Sequence, residues 1–333
     1  MRRRHFIELT LGTLTPGTLL GCATALDDPE HAVGGSGPLA ASDYWAMRRY
    51  APTRFGRIAY VERGRGEAAL FLHGFPLNSF QWRGALERLS PYRRCVAPDF
   101  LGLGFTEVAA GQSVAPSAQV DMLIELLERL AIGSVDLVAN DSGGAIAQLF
   151  AVRHPQRVRT LLLTNCDVEP DSPPAALVPV LELARAGRFA DAWLAPWLAD
   201  KAAARSPEGL AGMCYSKPGH PTDDAIECYL GPLVSTPERK ALANAYAVAL
   251  EPNPLAGIES ELRQCRIPTR IVWGTADTIF SAASPDYLDR LLPSSRGVRR
   301  VPDAKLFFPE EYPDLLAAEA KRLWDVGPDR RSA

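Results

Sequence analysis

The sequence predicts an α/β protein built around a mostly parallel sheet that is buried on both faces. Short, continuously apolar runs alternate along the chain with longer segments of helical periodicity. Strands that are apolar throughout, rather than at every second residue, are typical of parallel sheets covered by helices on both sides. A Pro-punctuated stretch interrupts this alternation in the second half of the chain and indicates an inserted helical domain.

The elements follow from the apolar runs and from their periodicity. Strands are predicted at Ile58–Glu62, Ala68–Leu72, Cys95–Ala97, Val135–Ala139, Val158–Leu163, Thr269–Trp273 and Val298–Val301. Helices are predicted at Ser79–Leu89, Ala118–Leu130, Ala145–Val152 and Pro313–Trp324. These elements divide the chain into a core at residues 43–167 and 264–326 and a helical lid at residues 168–263.

Composition favours a small-molecule partner. The chain has 333 residues and a formal net charge of −3, and its basic residues form no concentrated face outside the N-terminal segment. Nucleic-acid binding requires such a face, so no nucleic-acid partner is expected. No spacing of Cys and His resembles a metal site, and no cofactor motif is present, so neither a metal nor a cofactor is predicted.

The N-terminal segment resembles an export signal. Arg3-Arg4 precedes Phe6-Ile7 as in twin-arginine signals, and a weakly apolar stretch then ends at Leu19-Leu20-Gly21-Cys22, which resembles a bacterial lipobox. We therefore expect a signal peptide at residues 1–22, lipidation of Cys22 and a flexible tether at residues 23–42. The expected product is a periplasmic or cell-surface lipoprotein that reaches the membrane through this anchor.

Cysteine number argues against a disulfide framework. Six cysteines include Cys22, which leaves an odd number for the folded part. Cys95 and Cys166 lie in or beside apolar runs and are expected to be buried thiols. Cys214 and Cys228 lie close together in the lid and are a possible pair in an oxidising compartment.

Three motifs carry a family resemblance. His73-Gly74-Phe75-Pro76 ends one strand, Asp99–Gly104 ends the next, and Ala139–Gly144 joins a strand to a helix. In this order the motifs resemble α/β-hydrolases of the haloalkane dehalogenase and epoxide hydrolase branch. The resemblance spans about Tyr44 to Trp324 and implies the α/β-hydrolase fold: a mostly parallel central sheet with helices on both faces and a helical lid inserted after the sixth strand.

The third motif is similar to the family's nucleophile elbow, a sharp strand-to-helix turn. The pattern of small residues around it favours Asp141 as the nucleophile, flanked by Ala139 and Gly143. A register shifted by one makes Ser142 the alternative nucleophile. The backbone N–H groups of Ser142 and Phe75 are expected to form the oxyanion or halide pocket. Ser142 replaces the tryptophan that usually follows the family's aspartate, which argues against a well-formed halide site.

The family's catalytic histidine is missing. It belongs to a loop that here reads Asp303–Pro313, in which Leu306 occupies its position. Asp277 matches the family's acid after the seventh strand, and Asp167 matches the alternative acid position after the sixth. Replacement bases are limited to carboxylates such as Glu310 and Glu311, which more often charge a helix N-terminus, and to His220 in the lid. His73 is expected to fix its own loop.

Two functions remain open. One is a hydrolase that acts on a small apolar halide, epoxide or ester through Asp141 with a non-standard base. The other is a non-hydrolytic or pseudoenzyme ligand-binding protein that retains the fold without a catalytic histidine. The costly elbow favours the first, and Leu306 favours the second.

Overall fold

The computed structural model describes residues 39–217 and 219–326, which belong to a single compact unit. The predicted signal peptide, Cys22 and most of the predicted tether lie outside the described residues. The tether was predicted to extend through Ser42, but helix α1 already begins at Ala41. Within the described ranges, no helix has the length and apolar character needed to cross a bilayer.

Nine strands form one sheet. They are β1 (Arg48–Thr53), β2 (Gly56–Arg63), β3 (Ala68–Leu72), β4 (Arg94–Pro98), β5 (Glu107–Val108), β6 (Val135–Asp141), β7 (Val158–Cys166), β8 (Thr269–Gly274) and β9 (Ser295–Val301). The sheet order is β1-β2-β4-β3-β6-β7-β8-β9, with β5 paired to β2. The pairs from β4 to β9 are parallel, and only those that involve β2 are antiparallel.

The helices cover both faces of the sheet and form the insertion. They are α1 (Ala41–Ala46), α2 (Arg83–Leu89), α3 (Pro116–Arg129), α4 (Ser142–Arg153), α5 (Val178–Arg185), α6 (Ala195–Ala199), α7 (Lys201–Ala204), α8 (Leu210–Cys214), α9 (Asp223–Val234), α10 (Pro237–Val248), α11 (Glu259–Leu262), α12 (Ser284–Leu291), α13 (Phe308–Glu311) and α14 (Pro313–Leu323). A π-helical turn at Ala190–Leu194 precedes α6. The predicted fold class is confirmed by this arrangement, but the helical insertion follows the seventh strand rather than the predicted sixth, because the two-residue strand β5 adds one to the count.

The central strands were predicted correctly because they are buried throughout. Every residue of β3 and β6 is buried, as continuous apolar runs indicate. The prediction missed β1, whose charged and exposed residues pair antiparallel with β2 at the sheet edge. It also placed the start of α4 three residues late, at Ala145, although the helix begins directly after Asp141 at Ser142.

We call the segment between β7 and β8 the lid. It contains α5 to α11 and is anchored to the core by buried polar contacts. Arg83 of α2 forms an ion pair of 2.8 Å with Glu310 of α13. The other oxygen of Glu310 accepts hydrogen bonds from Tyr215 Oη at 2.7 Å and Tyr229 Oη at 2.9 Å, both from the lid. This buried ion pair therefore joins the core, the lid and the loop after β9.

Glu311 anchors the neighbouring part of the lid. Its carboxylate accepts hydrogen bonds from the backbone N–H of Ser216 at 3.1 Å and from that of Lys217 at 2.5 Å. The Ser216 hydroxyl adds a third at 3.0 Å. Both glutamates are committed to holding the lid, so the interpretation of Glu310 or Glu311 as a substitute base is wrong. They were also suggested as charges at a helix start, and both do lie in the first turn of α13.

The predicted Cys214–Cys228 pair is wrong. All five cysteines of the described residues are free and buried. Cys228 Sγ accepts a hydrogen bond from the Trp45 indole at 3.2 Å, between α1 and α9. Cys214 lies at the end of α8, where its carbonyl oxygen accepts from the Phe307 N–H at 2.9 Å.

The Glu310 ion pair gives a test of lid anchoring. Glu310→Gln should lower the free energy of unfolding by about 3 kcal/mol, because the buried Arg83 guanidinium loses its charged partner. Glu107→Gln removes the partner of Arg57 in an exposed ion pair and is the matched control, with an expected loss below about 1 kcal/mol. Urea unfolding of both variants makes the comparison. Equal losses would show that the buried ion pair contributes no more to the free energy of unfolding than the exposed one.

Candidate active site

The turn between β6 and α4 has the geometry of a nucleophile elbow. Asp141 is its apex, with φ of 56° and ψ of −135°, a conformation that side-chain-bearing residues rarely adopt. The neighbouring backbones leave no room for side chains. A Cβ on Gly143 would lie 2.5 Å from the His73 carbonyl oxygen, and one on Gly74 would lie 2.7 Å from Asp141 Cβ. Packing on both sides therefore maintains the strained turn.

The Asp141 carboxylate is held by one of its two oxygens. Its Oδ1 accepts hydrogen bonds from the backbone N–H of Ser142 and, at 3.4 Å, from that of Phe75. These are the two N–H groups that the sequence predicted as an oxyanion pocket. Its Oδ2 accepts no hydrogen bond from the described residues. The arrangement fixes one oxygen at the N-terminus of α4 and leaves the other available for chemistry.

The Asn140 side chain connects the parts of this site. Its amide nitrogen donates to the carbonyl oxygens of Thr164 and Asn165 at 3.2 Å each and of Leu306 at 3.0 Å. Its oxygen accepts from Gln81 Nε2 at 2.6 Å, and Gln81 Oε1 in turn accepts from the Gly74 N–H at 3.0 Å. The buried amide thus fixes the backbone of four segments around Asp141.

Asp141 faces a largely apolar cavity under the lid. The cavity has a volume of about 80 Å³, which is enough for several water molecules or a small ligand. Asp141, Ser142 and Asp167 are the oxygen-bearing side chains that line it. Aromatic and aliphatic side chains form the remaining wall, including Phe75, Phe189, Trp193, Trp197, Leu250, Phe280 and Leu306. Among the described residues no Lys, Arg or His lines this space.

Two carboxyl groups in one apolar cavity hold their protons more strongly than usual. Burial, and to a smaller extent the charge of Asp167, raises the pKa of Asp141 to about 8, against the opposing effect of the N–H groups of Ser142 and Phe75. Burial also raises the pKa of Asp167 to about 7, and the hydrogen bond from Ser172 Oγ at 2.8 Å opposes this shift. Both groups therefore titrate near neutral pH.

Asp277, which the sequence predicts as the acid, does not line the cavity. Its Oδ2 accepts from Asn165 Nδ2 at 2.7 Å, and its Oδ1 accepts from the Ile279 N–H at 2.9 Å. Burial raises its pKa, and the hydrogen bond from Asn165 opposes the increase. Asp277 is thus satisfied by its own turn and by Asn165, a partner that the sequence analysis missed.

Leu306 is buried and lines the cavity beside Asp141. Its loop contacts the Asp277 loop through the Ala276 N–H, which donates to the Ala304 carbonyl oxygen at 2.9 Å. The backbone at position 306 therefore lies between the nucleophile candidate and the acid candidate. Its side chain supplies neither a proton donor nor an acceptor.

None of the described histidines replaces the missing base. His73 Nε2 accepts from the Phe100 N–H at 3.1 Å, so its Nδ1 proton is donated to the Gly74 carbonyl oxygen at 2.9 Å. Burial lowers the pKa of His73 to about 4, and the ring fixes its loop as predicted. His154 ends α4, and His220 packs its ring on Tyr215 without lining the cavity. The suggestion of His220 as a substitute base has no support in this geometry.

Ser142 has a different partner from a serine nucleophile. It is the first residue of α4, and its Oγ is 3.1 Å from the hydroxyl of Tyr246 in the lid helix α10. Burial raises the pKa of Tyr246, which keeps the phenol protonated. The Tyr246 ring also stacks on Phe75, with 5.4 Å between ring centroids. Sequence gave no signal for Tyr246, which lies in the variable lid.

Comparison with known proteins identifies the family. The model of the alpha/beta hydrolase fold family matches residues 69–312, which is most of the chain. The chain belongs to the α/β-hydrolase fold family. This α/β-hydrolase is 27% identical over 295 residues to haloalkane dehalogenase 2 of Mycobacterium bovis, an alignment that covers 81% of this chain and 92% of that protein. The predicted resemblance to the haloalkane dehalogenase branch is thereby confirmed.

Solved structures share the fold of this α/β-hydrolase. An alpha/beta hydrolase fold protein from Burkholderia ambifaria superposes with a TM-score of 0.71 at 22% identity and covers 82% of this chain and 96% of its own. The haloalkane dehalogenase DbeA from Bradyrhizobium elkani superposes with a TM-score of 0.68 at 23% identity, over 84% of this chain and 98% of its own. At these identities the superpositions show the fold.

The raised pKa of Asp141 predicts a pH-dependent stability. Between its ordinary pKa of about 4 in the unfolded chain and about 8 in the folded one, the folded state holds a proton that the unfolded state has lost. Stability should therefore fall as pH rises across this window. The stability of Asp141→Asn relative to the wild type should therefore rise between about pH 5 and about pH 9, by roughly 4 kcal/mol.

Urea unfolding at both pH values measures this difference. Asp286→Asn, which removes a surface carboxylate paired with Arg300, is the control and should show no such pH dependence. Equal stability differences for Asp141→Asn at the two pH values would contradict the raised pKa.

Proposed function

We propose that this α/β-hydrolase is a hydrolase that attacks small, mostly apolar substrates with Asp141 and uses Asp167 as its base. The proposal rests on one observation, that the two carboxylate oxygens of Asp141 differ in their hydrogen bonding. Oδ1 is held by the N–H groups of Ser142 and Phe75, whereas Oδ2 is unpartnered beside the apolar cavity. This is the arrangement that an oxygen nucleophile on a strained turn requires.

In the first step Oδ2 of the ionised carboxylate forms a bond to an electrophilic carbon of the substrate. The leaving group departs with the electron pair of its bond to that carbon. An epoxide or halide, attacked at a saturated carbon, leaves an alkyl ester of Asp141, whereas an activated ester, attacked at its carbonyl carbon, leaves a mixed anhydride that water cleaves in the same way. The ester carbonyl oxygen is Oδ1, which stays in contact with the two backbone N–H groups. The enclosed cavity excludes bulk water during this step and strengthens the electrostatic attraction of these groups.

In the second step water must cleave the ester, and Asp167 is the described side chain placed to assist. Asp167 removes a proton from water, and the hydroxide adds to Cγ of Asp141. Negative charge then develops on Oδ1, where the N–H groups of Ser142 and Phe75 stabilise it. Collapse expels the alcohol, which takes the proton from Asp167. A carboxylate with a pKa of about 7 is a competent base near neutral pH.

The leaving group is constrained by what surrounds Asp141. Phe75 contributes no polar side-chain atom, and Ser142 offers a hydroxyl where the family usually has an indole. A halide would therefore find few donors, while an oxygen leaving group can accept from the Ser142 hydroxyl. We propose that epoxides and activated esters are better substrates than simple haloalkanes.

Leu306 supports a second candidate function, a ligand-binding protein without turnover. Leucine at the family's histidine position removes the usual route to ester hydrolysis. Under this alternative the cavity binds an apolar molecule, and Asp141 and Asp167 remain chemically idle.

Intact-mass analysis after incubation with epoxides, activated esters and haloalkanes distinguishes the two functions. The wild type should turn over at least one epoxide or ester, and Asp141→Asn should form no adduct. Asp167→Asn should accumulate a covalent adduct on Asp141, because attack proceeds while hydrolysis is slowed by about a hundredfold. Leu306→His should hydrolyse the ester faster than the wild type. The surface variant Asp286→Asn is the control and should behave like the wild type.

Absence of both adduct and turnover across this panel would reject the hydrolase and leave the binding function. Turnover that is unchanged in Asp167→Asn would reject Asp167 as the base while preserving the role of Asp141.

We also propose that the protein is exported and anchored through an acylated Cys22, as the N-terminal motifs predict. In a bacterial host, the full chain should fractionate with membranes, and Cys22→Ala should move it to the soluble fraction. Equal membrane association of both proteins would contradict lipidation at Cys22.

A further inference from the structure

One side of the cavity is a continuous aromatic wall. Phe75, Phe189, Trp193 and Trp197 all line the space. The ring centroids of Phe75 and Phe189 are 5.5 Å apart, those of Phe189 and Trp193 are 6.0 Å apart, and those of Trp193 and Trp197 are 5.3 Å apart. Such rings attract compact cations through the negative charge of their π faces.

Asp141 and Asp167 line the same space and are nearly completely buried, with exposed fractions of 8% and 5%. Each carboxylate has one oxygen, Oδ2, that accepts no hydrogen bond from any other described residue. No cationic side chain of the described residues lines the cavity. Lys305, which follows Ala304 on the Leu306 loop, donates to the Gly212 carbonyl oxygen and points its charge elsewhere.

The other buried carboxylates of the described residues have an ion pair or hydrogen bonds on both oxygens. Asp136 is paired with Arg93 and Arg159, Glu310 with Arg83, and Glu319 with Arg270. Asp99 and Glu311 accept hydrogen bonds on both oxygens. Within residues 39–217 and 219–326, Asp141 and Asp167 are thus the buried carboxylates with an oxygen that accepts neither a hydrogen bond nor an ion pair from another residue. Buried charges are normally paired, so this pair is suited to a partner that arrives with the ligand.

We propose that the cavity selects ligands that carry a compact organic cation, an ammonium or quaternary ammonium group, close to the reactive carbon. The reactive carbon rests on the proposed function, but the selection of a cation rests on the cavity alone. The cation would lie between the aromatic wall and the two carboxylates. Its positive charge would offset the negative charge of the two carboxylates, whose ionisation the apolar surroundings disfavour. It would thereby keep Asp141 ionised for attack.

The aromatic rings and the carboxylates both favour a cationic ligand over a neutral one. A cation over a desolvated aromatic ring is attracted by the negative π face, and a carboxylate in the same enclosed space adds a Coulomb attraction that water screens poorly. A neutral ligand of the same shape obtains only the apolar contacts. The two classes of ligand should therefore differ in affinity by at least about tenfold.

Choline and 3,3-dimethylbutan-1-ol test this selection, because they share a shape and differ by a charged nitrogen in place of a carbon. Binding to the full chain is measured by titration calorimetry and by the change in total tryptophan fluorescence, to which Trp193 and Trp197 contribute. Choline should bind at least tenfold more tightly than the neutral alcohol. Asp167→Asn should reduce choline affinity about tenfold, and Trp193→Leu should reduce it about fivefold, while neither weakens the alcohol as much.

Asp286→Asn is the matched control, and it should leave both affinities unchanged. The thermal transition of each variant confirms that it is folded. Equal affinity for choline and the neutral alcohol, or choline affinity that is unchanged in Asp167→Asn, would overturn the proposal.

The result is separable from that of the proposed function. Because choline carries no reactive carbon, its binding does not depend on the chemistry at Asp141. Choline selectivity together with no adduct on Asp141 would retain the cation site and reject the hydrolase. Adduct formation with neutral epoxides and no choline selectivity would retain the hydrolase and reject the cation site.

Discussion

The buried amide of Asn140 is the contact on which the arrangement of the site depends. It lies one residue before the elbow and bonds to the ends of β7, to the Leu306 loop and, through Gln81, to the loop that carries Phe75. An amide presents donors and an acceptor in fixed directions, so a single side chain can determine the spacing of several backbones. Removing it would leave three carbonyl oxygens and the Gln81 amide without this partner in a region closed to water. The positions of the N–H pocket, of the elbow and of residue 306 are therefore coupled rather than independent.

The electrostatic character of the cavity follows from the lack of a Lys, Arg or His side chain among the described residues that line it. The family resemblance predicts an imidazole between the nucleophile and the acid, but the side chain beside Asp141 is that of Leu306, which carries no titratable group. Asp141 and Asp167 therefore face one apolar space, while Asp277 is held by Asn165 and by its own turn. The site presents a pair of carboxyl groups whose protonation depends on whatever shares the cavity with them.

The sequence was sufficient for the features that depend on local pattern. The fully buried β3 appears as a continuous apolar run, and the elbow appears as small residues around Asp141. The edge strand β1 was invisible because its exposed charged residues follow no buried pattern. The roles of Asn140 and Asn165 were also invisible, because their partners come from segments more than 20 residues away in the chain. The commitment of Glu310 to Arg83 and to two lid tyrosines depends on how the lid docks, which a single sequence does not specify.

The Leu306 loop has a consequence for how the site tolerates substitution. Its backbone is held by a contact that is independent of the side chain, since Asn140 donates to the carbonyl oxygen of residue 306. The Leu306 side chain fills buried space beside the cavity with an apolar group. An exchange of that side chain therefore alters the chemistry of the cavity while the hydrogen bond that positions the loop is kept. One substitution in an unaltered scaffold is enough to separate two chemistries.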